Sequence, residues 1–180
     1  MTERRLICHD LTMGETRLGN DRAVGAEGLF CEDDTMLAHN RDILFSVLRS
    51  LNLLLVEDDE LIRDSLELFF ANEGCRLEVR ASAEDGLQMV QMRNFDVVIT
   101  DFRLPGMNGL DFLRVLQDLQ PEAQTILLTA YMNEEVLAEA FRLGVNEFIE
   151  KPIATEDIEE ALIRILRRRR SGEPLLPGGV

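Results

Sequence analysis

The sequence predicts an α/β fold, a doubly wound five-stranded parallel sheet flanked by five helices, and three observations predict it. From Asn52 onward, short apolar runs alternate with stretches of helical period, as expected of a repeated strand–helix unit. Glycines and capping residues fall at the joints between those stretches. Chemically capable polar residues cluster just after the apolar runs, and in open α/β sheets that is the edge where ligands sit.

The strands are expected at Leu53 to Val56, Arg76 to Ala81, Asp96 to Thr100, Thr125 to Leu128 and Glu147 to Ile149. Between the first two, Asp59 to Glu73 places Ile62, Leu66, Phe69 and Phe70 on one helical face and stops at Gly74, which suits a left-handed residue beyond a helix end. A second helix should start at Ser82, a good cap, with Asp85 three residues on as a weaker capping box. The remaining helices are expected at about Gly109 to Leu119, Glu134 to Leu143 (ended by Gly144) and Glu156 to Arg169. The last carries Glu156, Asp157, Glu159 and Glu160 in its first turns and arginines in its final turn, both favourable to the helix dipole. The run Arg167 to Arg170 is therefore read as a solvated, dipole-matched helix end rather than a nucleic-acid patch.

The first 50 residues say less. Residues 1–34, with glycines at 14, 19, 25 and 28 and no steady period, are expected to be a flexible or irregular extension. Residues 35–50 are expected to form an amphipathic helix, since Met36, Leu37, Ile43, Leu44, Val47, Leu48 and Leu51 make one stripe after the candidate caps Asp33, Asp34 and Thr35. Its partner surface is the chain's own domain, a second copy or other protein, or nothing at all if the gene start is misplaced. The closing SGEPLLPGGV (171–180) reads as a disordered tail.

Composition narrows the function. No apolar run approaches the roughly 20 residues needed to cross a bilayer, and the opening MTERRLICHD is too polar for a secretory signal. Cys8, Cys31 and Cys75 lack the spacing of a disulfide framework, so a cytoplasmic protein is expected. Cys8, His9, Cys31 and His39 match no paired zinc-ligand pattern. A net charge of −15 argues against broad contact with nucleic acid and for protein or small-ligand partners. Of 19 basic residues, Lys151 alone is lysine.

Glu57 and Asp58 follow the first strand, Asp101 the third, Thr129 the fourth and Lys151 the fifth. Each alone has a plain explanation as a helix cap, a turn residue or a loop lysine. Together, at four strand ends of one sheet, they describe a site. Three converging carboxylates repel unless a cation lies between them. Oxygen ligands alone favour a hard ion such as Mg²⁺. A carboxylate at Asp101 could then attack phosphorus, as aspartyl-phosphate enzymes do. The charge spread over a transferring phosphoryl group calls for a cation and a donor, which Lys151 and Thr129 supply, with Ala130 leaving room. A compact ammonium suits that place better than a wide guanidinium fork.

The segments LLVEDDE, DVVITDFRLPGMNGLDFL, ILLTAY and FIEKPI resemble, in order, the motifs of the receiver domain of two-component response regulators, over roughly residues 51–170. The resemblance implies the flavodoxin-like strand order 2-1-3-4-5. It implies Asp101 as phospho-acceptor, with Mg²⁺ held by Asp58, Asp101 and the Arg103 carbonyl, and by Glu57 partly through water. It further implies phosphoryl contacts from Thr129 and Lys151, a cis Lys151–Pro152 bond, and a switch pairing Thr129 with Phe148, which lacks the tyrosine hydroxyl often found there. Arg103 and Tyr131 are expected to shield the acyl phosphate from water. The implied partners are a sensor histidine kinase or a histidine phosphotransfer protein as donor and a downstream protein effector. With no output domain read in the sequence, output should pass through protein contact by the fourth helix, fifth strand and fifth helix, or through a homodimer.

Two other classes share parts of this pattern. A haloacid-dehalogenase-type phosphatase shares an aspartate nucleophile, threonine, lysine and magnesium, but needs a second aspartate two residues after the nucleophile, where Arg103 stands. A binding-only scaffold would not need every one of these polar residues.

Overall fold

Residues alternate sides along an extended chain, and here both sides are apolar, so the sheet must be covered on two faces. The computed structural model describes residues 41–130 and 134–171. The extension 1–34, residues 35–40, the set Cys8, His9, Cys31 and His39, Tyr131 and the tail beyond residue 171 lie outside them. In chain order the elements are helix α1 (41–48), strand β1 (Asn52–Val56), α2 (Glu60–Asn72), β2 (Arg76–Arg80), α3 (Ala83–Met92), β3 (Val97–Asp101), α4 (Gly109–Leu119), β4 (Gln124–Thr129), α5 (Glu134–Arg142), β5 (Glu147–Glu150) and α6 (Thr155–Ser171).

The five strands are all parallel, in the order β2-β1-β3-β4-β5. Parallel neighbours need crossover connections, which the helices provide. One face of the sheet shows Leu53, Leu55, Val97, Ile99, Ile126, Leu128 and Ile149 to α1, α2 and α6. The other shows Leu54, Val56, Val98 and Leu127 to α3, α4 and α5. Each such side chain contributes roughly 1.5–3 kcal/mol relative to exposure, so the two clusters fix both the strand register and the helix faces.

The helix signals act as expected. Asp59 caps α2 by accepting from the amides of Leu61 and Ile62, and Ser82 caps α3 by accepting from Asp85. Gly74 and Gly144 follow their helices with φ of 71° and 69°. Several boundaries differ. Asp59 and Glu73 are caps rather than helical residues, and Ala81 lies beyond β2. Strand β3 runs one residue later than expected, because Asp101 still pairs in register with Leu128. Strand β4 starts at Gln124 and includes Thr129, β5 includes Glu150, and α6 reaches Ser171.

The buried face of α1 is also rotated from the expected stripe. Leu44, Phe45 and Leu48 are buried, whereas Ile43 is 42% exposed. Phe45 belongs to the face because it meets Phe69 of α2 edge to face at 5.8 Å. Arg41 ties α1 to both neighbours, pairing with Glu73 and with Glu159 of α6 at 2.7 Å each. No described helix is long and apolar enough to cross a membrane.

Candidate functional site

A parallel sheet brings all its strand C-termini to one edge, so residues far apart in sequence meet there. Glu57 directly follows β1, Asp101 ends β3, Thr129 ends β4 and Lys151 directly follows β5. Glu57, Asp101 and Thr129 are buried, while Asp58 is exposed at the mouth.

The Lys151 ammonium lies 2.8 Å from Asp101 Oδ2 and 2.9 and 3.0 Å from the two Glu57 oxygens. The expected partners of this lysine are phosphoryl oxygens, and Glu57 is an additional one. In the structure it bridges both buried acids. Burial on its own would lower the lysine's pKa, but its hydrogen bonds to Asp101 and Glu57 outweigh that and raise it, so it is a fixed positive charge. Burial drives the Glu57 carboxyl above its ordinary range, with Lys151 opposing the shift and Asp101 adding to it. The main-chain N–H of Lys151 donates to the Thr129 carbonyl at 2.8 Å, so the two strand ends are joined. The Lys151–Pro152 bond is cis.

Two further residues support the site. Arg63, one turn into α2, donates to the carbonyls of both Glu57 and Asp58 at 3.1 Å, and so braces the loop that carries the acids. Its signal was an arginine just inside a helix that starts at an acidic loop. Gly109, the first residue of α4, donates its N–H to the Phe102 carbonyl at 2.9 Å. A Cβ there would lie 2.1 Å from the Asp101 carbonyl oxygen, so this approach requires glycine.

The loop 102–108 carries Arg103, an exposed residue at which a backbone carbonyl ligand was expected. The loop is held by Phe102 N–H to the Leu128 carbonyl at 2.8 Å, by the buried Leu104 and by Met107 N–H to Glu84 Oε1 at 3.1 Å. Phe148, half-buried on β5, packs edge to face on Phe141 of α5 with centroids 5.3 Å apart. Tyr131, the other proposed shield, lies outside the described residues.

Glu57, Asp58 and Asp101 each offer a carboxylate oxygen, and these oxygens lie within 4.8 Å of one another. Octahedral Mg²⁺ with bonds of ~2.1 Å sets neighbouring ligands about 3 Å and opposite ligands about 4.2 Å apart. Three carboxylate oxygens within 4.8 Å of one another are close to that spacing. The donor set is oxygen alone, which also suits magnesium rather than zinc.

Comparison with known proteins bears on the family and the fold. Residues 53–163 match the family described as the response regulator receiver domain. The transcriptional regulatory protein AfsQ1 of Streptomyces coelicolor is 32% identical over 117 residues, covering 65% of this chain and 52% of the relative. The photosynthetic apparatus regulatory protein RegA of Cereibacter sphaeroides is 30% identical over 122 residues, covering 68% of this chain and 66% of the relative. The chain thus spans about half the length of AfsQ1. Among solved structures, a CheY-like response regulator receiver domain protein from Methanospirillum hungatei is similar at 28% identity with a TM-score of 0.65, over 68% of this chain and 98% of that one.

Proposed function

Since the chain belongs to the response regulator receiver domain family, we propose that it accepts a phosphoryl group on Asp101 from a histidine kinase or histidine phosphotransfer protein. The observation that carries this is the buried Asp101 carboxylate held 2.8 Å from a lysine ammonium, beside two further acids. Asp58, Asp101, the Arg103 carbonyl and Glu57 would hold Mg²⁺. When bound, that ion neutralises charge on the phosphoryl oxygens.

The chain's own groups do the rest. An Asp101 oxygen attacks phosphorus, the P–N bond to the donor imidazole breaks, and the imidazole nitrogen takes up a proton on leaving. Lys151, already charged and bonded to Asp101, lies where it can pair with a phosphoryl oxygen in place of a carboxylate. The Thr129 hydroxyl would donate to another. Its movement toward phosphate vacates space beside β5, and Phe148 would turn into it, leaving Phe141 and altering the surface of α5, β5 and α6. That surface is where a downstream protein effector or a second copy would read the state.

The test is incubation with acetyl phosphate and Mg²⁺ followed by intact mass. One added phosphoryl group is expected in the wild type, none in Asp101→Asn and none without Mg²⁺. Turnover of a free phosphate ester would support a phosphatase instead, and an unmodified wild type a binding scaffold.

A further inference from the structure

Glu84 lies in the first turn of α3, outside the site and outside every motif that marks it. Its side chain nonetheless reaches the loop between β3 and α4, where Oε1 accepts the Met107 N–H at 3.1 Å. The neighbouring Gly106 has φ 79°, and a Cβ there would lie 2.8 Å from that same oxygen. The carboxylate thus sits against the loop backbone at two successive residues, in a space that exists because residue 106 is glycine.

The loop's ends are anchored elsewhere. Phe102 N–H donates to the Leu128 carbonyl at 2.8 Å, and Gly109 N–H donates to the Phe102 carbonyl at 2.9 Å. Those bonds close the loop at its base and leave the far side, with Pro105, Gly106 and Met107, to be fixed by something across from it. A positive-φ glycine is a natural pivot there. Rotation about such a pivot reorients the planes on either side of Gly106, and the change passes back through Pro105 and Leu104 to the peptide that carries the Arg103 carbonyl.

We propose that Glu84 is a positioning residue for the metal site: by tethering Met107 it holds the 102–108 loop so that the Arg103 carbonyl faces the pocket beside Asp101. This rests on the receiver reading, in which that carbonyl is a ligand. Glu84 acts through the loop and touches neither phosphoryl group nor ion. A side-chain amide can accept the same hydrogen bond, so the requirement is for an acceptor of this length rather than for charge.

The experiment uses the full chain, with Mg²⁺ affinity measured by calorimetry and Met107 amide exchange by NMR. Glu84→Ala should speed Met107 exchange and weaken Mg²⁺ binding by roughly three- to tenfold, the loss of one hydrogen bond. Its metal-free melting temperature should stay within about 2 °C of wild type, as for a surface substitution. Glu84→Gln should restore both readouts. Gly106→Ala, which displaces the carboxylate from the opposite side, should reproduce the alanine phenotype. A wild type that binds Mg²⁺ and is phosphorylated, with Glu84→Ala matching it in affinity, overturns the inference alone. So does a Glu84→Gln variant as weak as Glu84→Ala. A wild type that takes up neither Mg²⁺ nor phosphoryl overturns the receiver reading and the inference with it.

Discussion

Burying Glu57 beside Asp101 sets two demands on one carboxylate. Its folded pKa lies above the ordinary 4.5, chiefly through burial, so the charged form is disfavoured in the folded state. The penalty is absent below the unfolded value, builds as pH rises through it and is complete above the folded value. Glu57→Gln should therefore raise the metal-free melting temperature at pH 8, and the gain should vanish near pH 4; a gain of equal size at both would count against the burial argument. Lys151 retains Asp101 as a partner in that variant, 2.8 Å away. Gly109 gives a steric counterpart. With Asp101 O only 2.1 Å from any added Cβ, Gly109→Ala must move α4 or the end of β3. Destabilisation by about 1–3 kcal/mol is expected from overpacking, together with slower phosphoryl uptake, measured by denaturant titration and by acetyl phosphate labelling. The gathering of Glu57, Asp58, Asp101, Thr129 and Lys151 at one sheet edge was legible in the sequence because each lies at or just after the end of an apolar run. The contact between Lys151 and Glu57 was not, since it depends on side-chain reach across two strand ends. Arg63 was missed because its partners are backbone carbonyls, which every loop residue carries, so an arginine just inside a helix after an acidic loop was a weak signal.

Among the elements, α1 carries the sharpest test. Leu44, Phe45 and Leu48 are buried against the same face as α2 and α6. Phe45→Ala should cost about 3–5 kcal/mol, lowering the melting temperature by on the order of 10 °C or more. An unchanged melting curve would show that α1 is not part of the domain's core in solution. Helical period announced this helix, yet its inner face was misjudged. A stripe drawn from aliphatic residues favoured Ile43 and omitted Phe45, which packs in the core against the Phe69 ring of α2. Strand ends were uncertain for a related reason. Whether Asp101 still pairs with its neighbour depends on register with β4, a property of two segments and not of one.

At the scale of the whole chain, a net charge of −15 and a pocket of three acids make an unusually costly apo state. Mg²⁺ should stabilise it by mass action, by about 2.7 kcal/mol at a hundred times Kd. Melting temperature should rise with MgCl2 beyond the rise given by NaCl of equal ionic strength, and that excess should disappear in Asp58→Asn. Equal effects of the two salts would mean screening alone. The doubly wound topology was legible throughout, because alternating strand and helix signals admit few parallel arrangements. The order of the strands came from resemblance, since nothing in the periodicity distinguishes one order from another.

The pairing of Arg41 with Glu159 joins residues 118 apart, the first described helix to the last. During synthesis at ~5–20 residues per second, α1 therefore waits roughly 6–24 s after leaving the ribosome for α6 to appear. For that interval Leu44, Phe45 and Leu48 have only part of their eventual cover. Closing so distant a contact also raises the contact order, which slows folding. The first described helix, which completes this face of the core, is thus among the last to find its place.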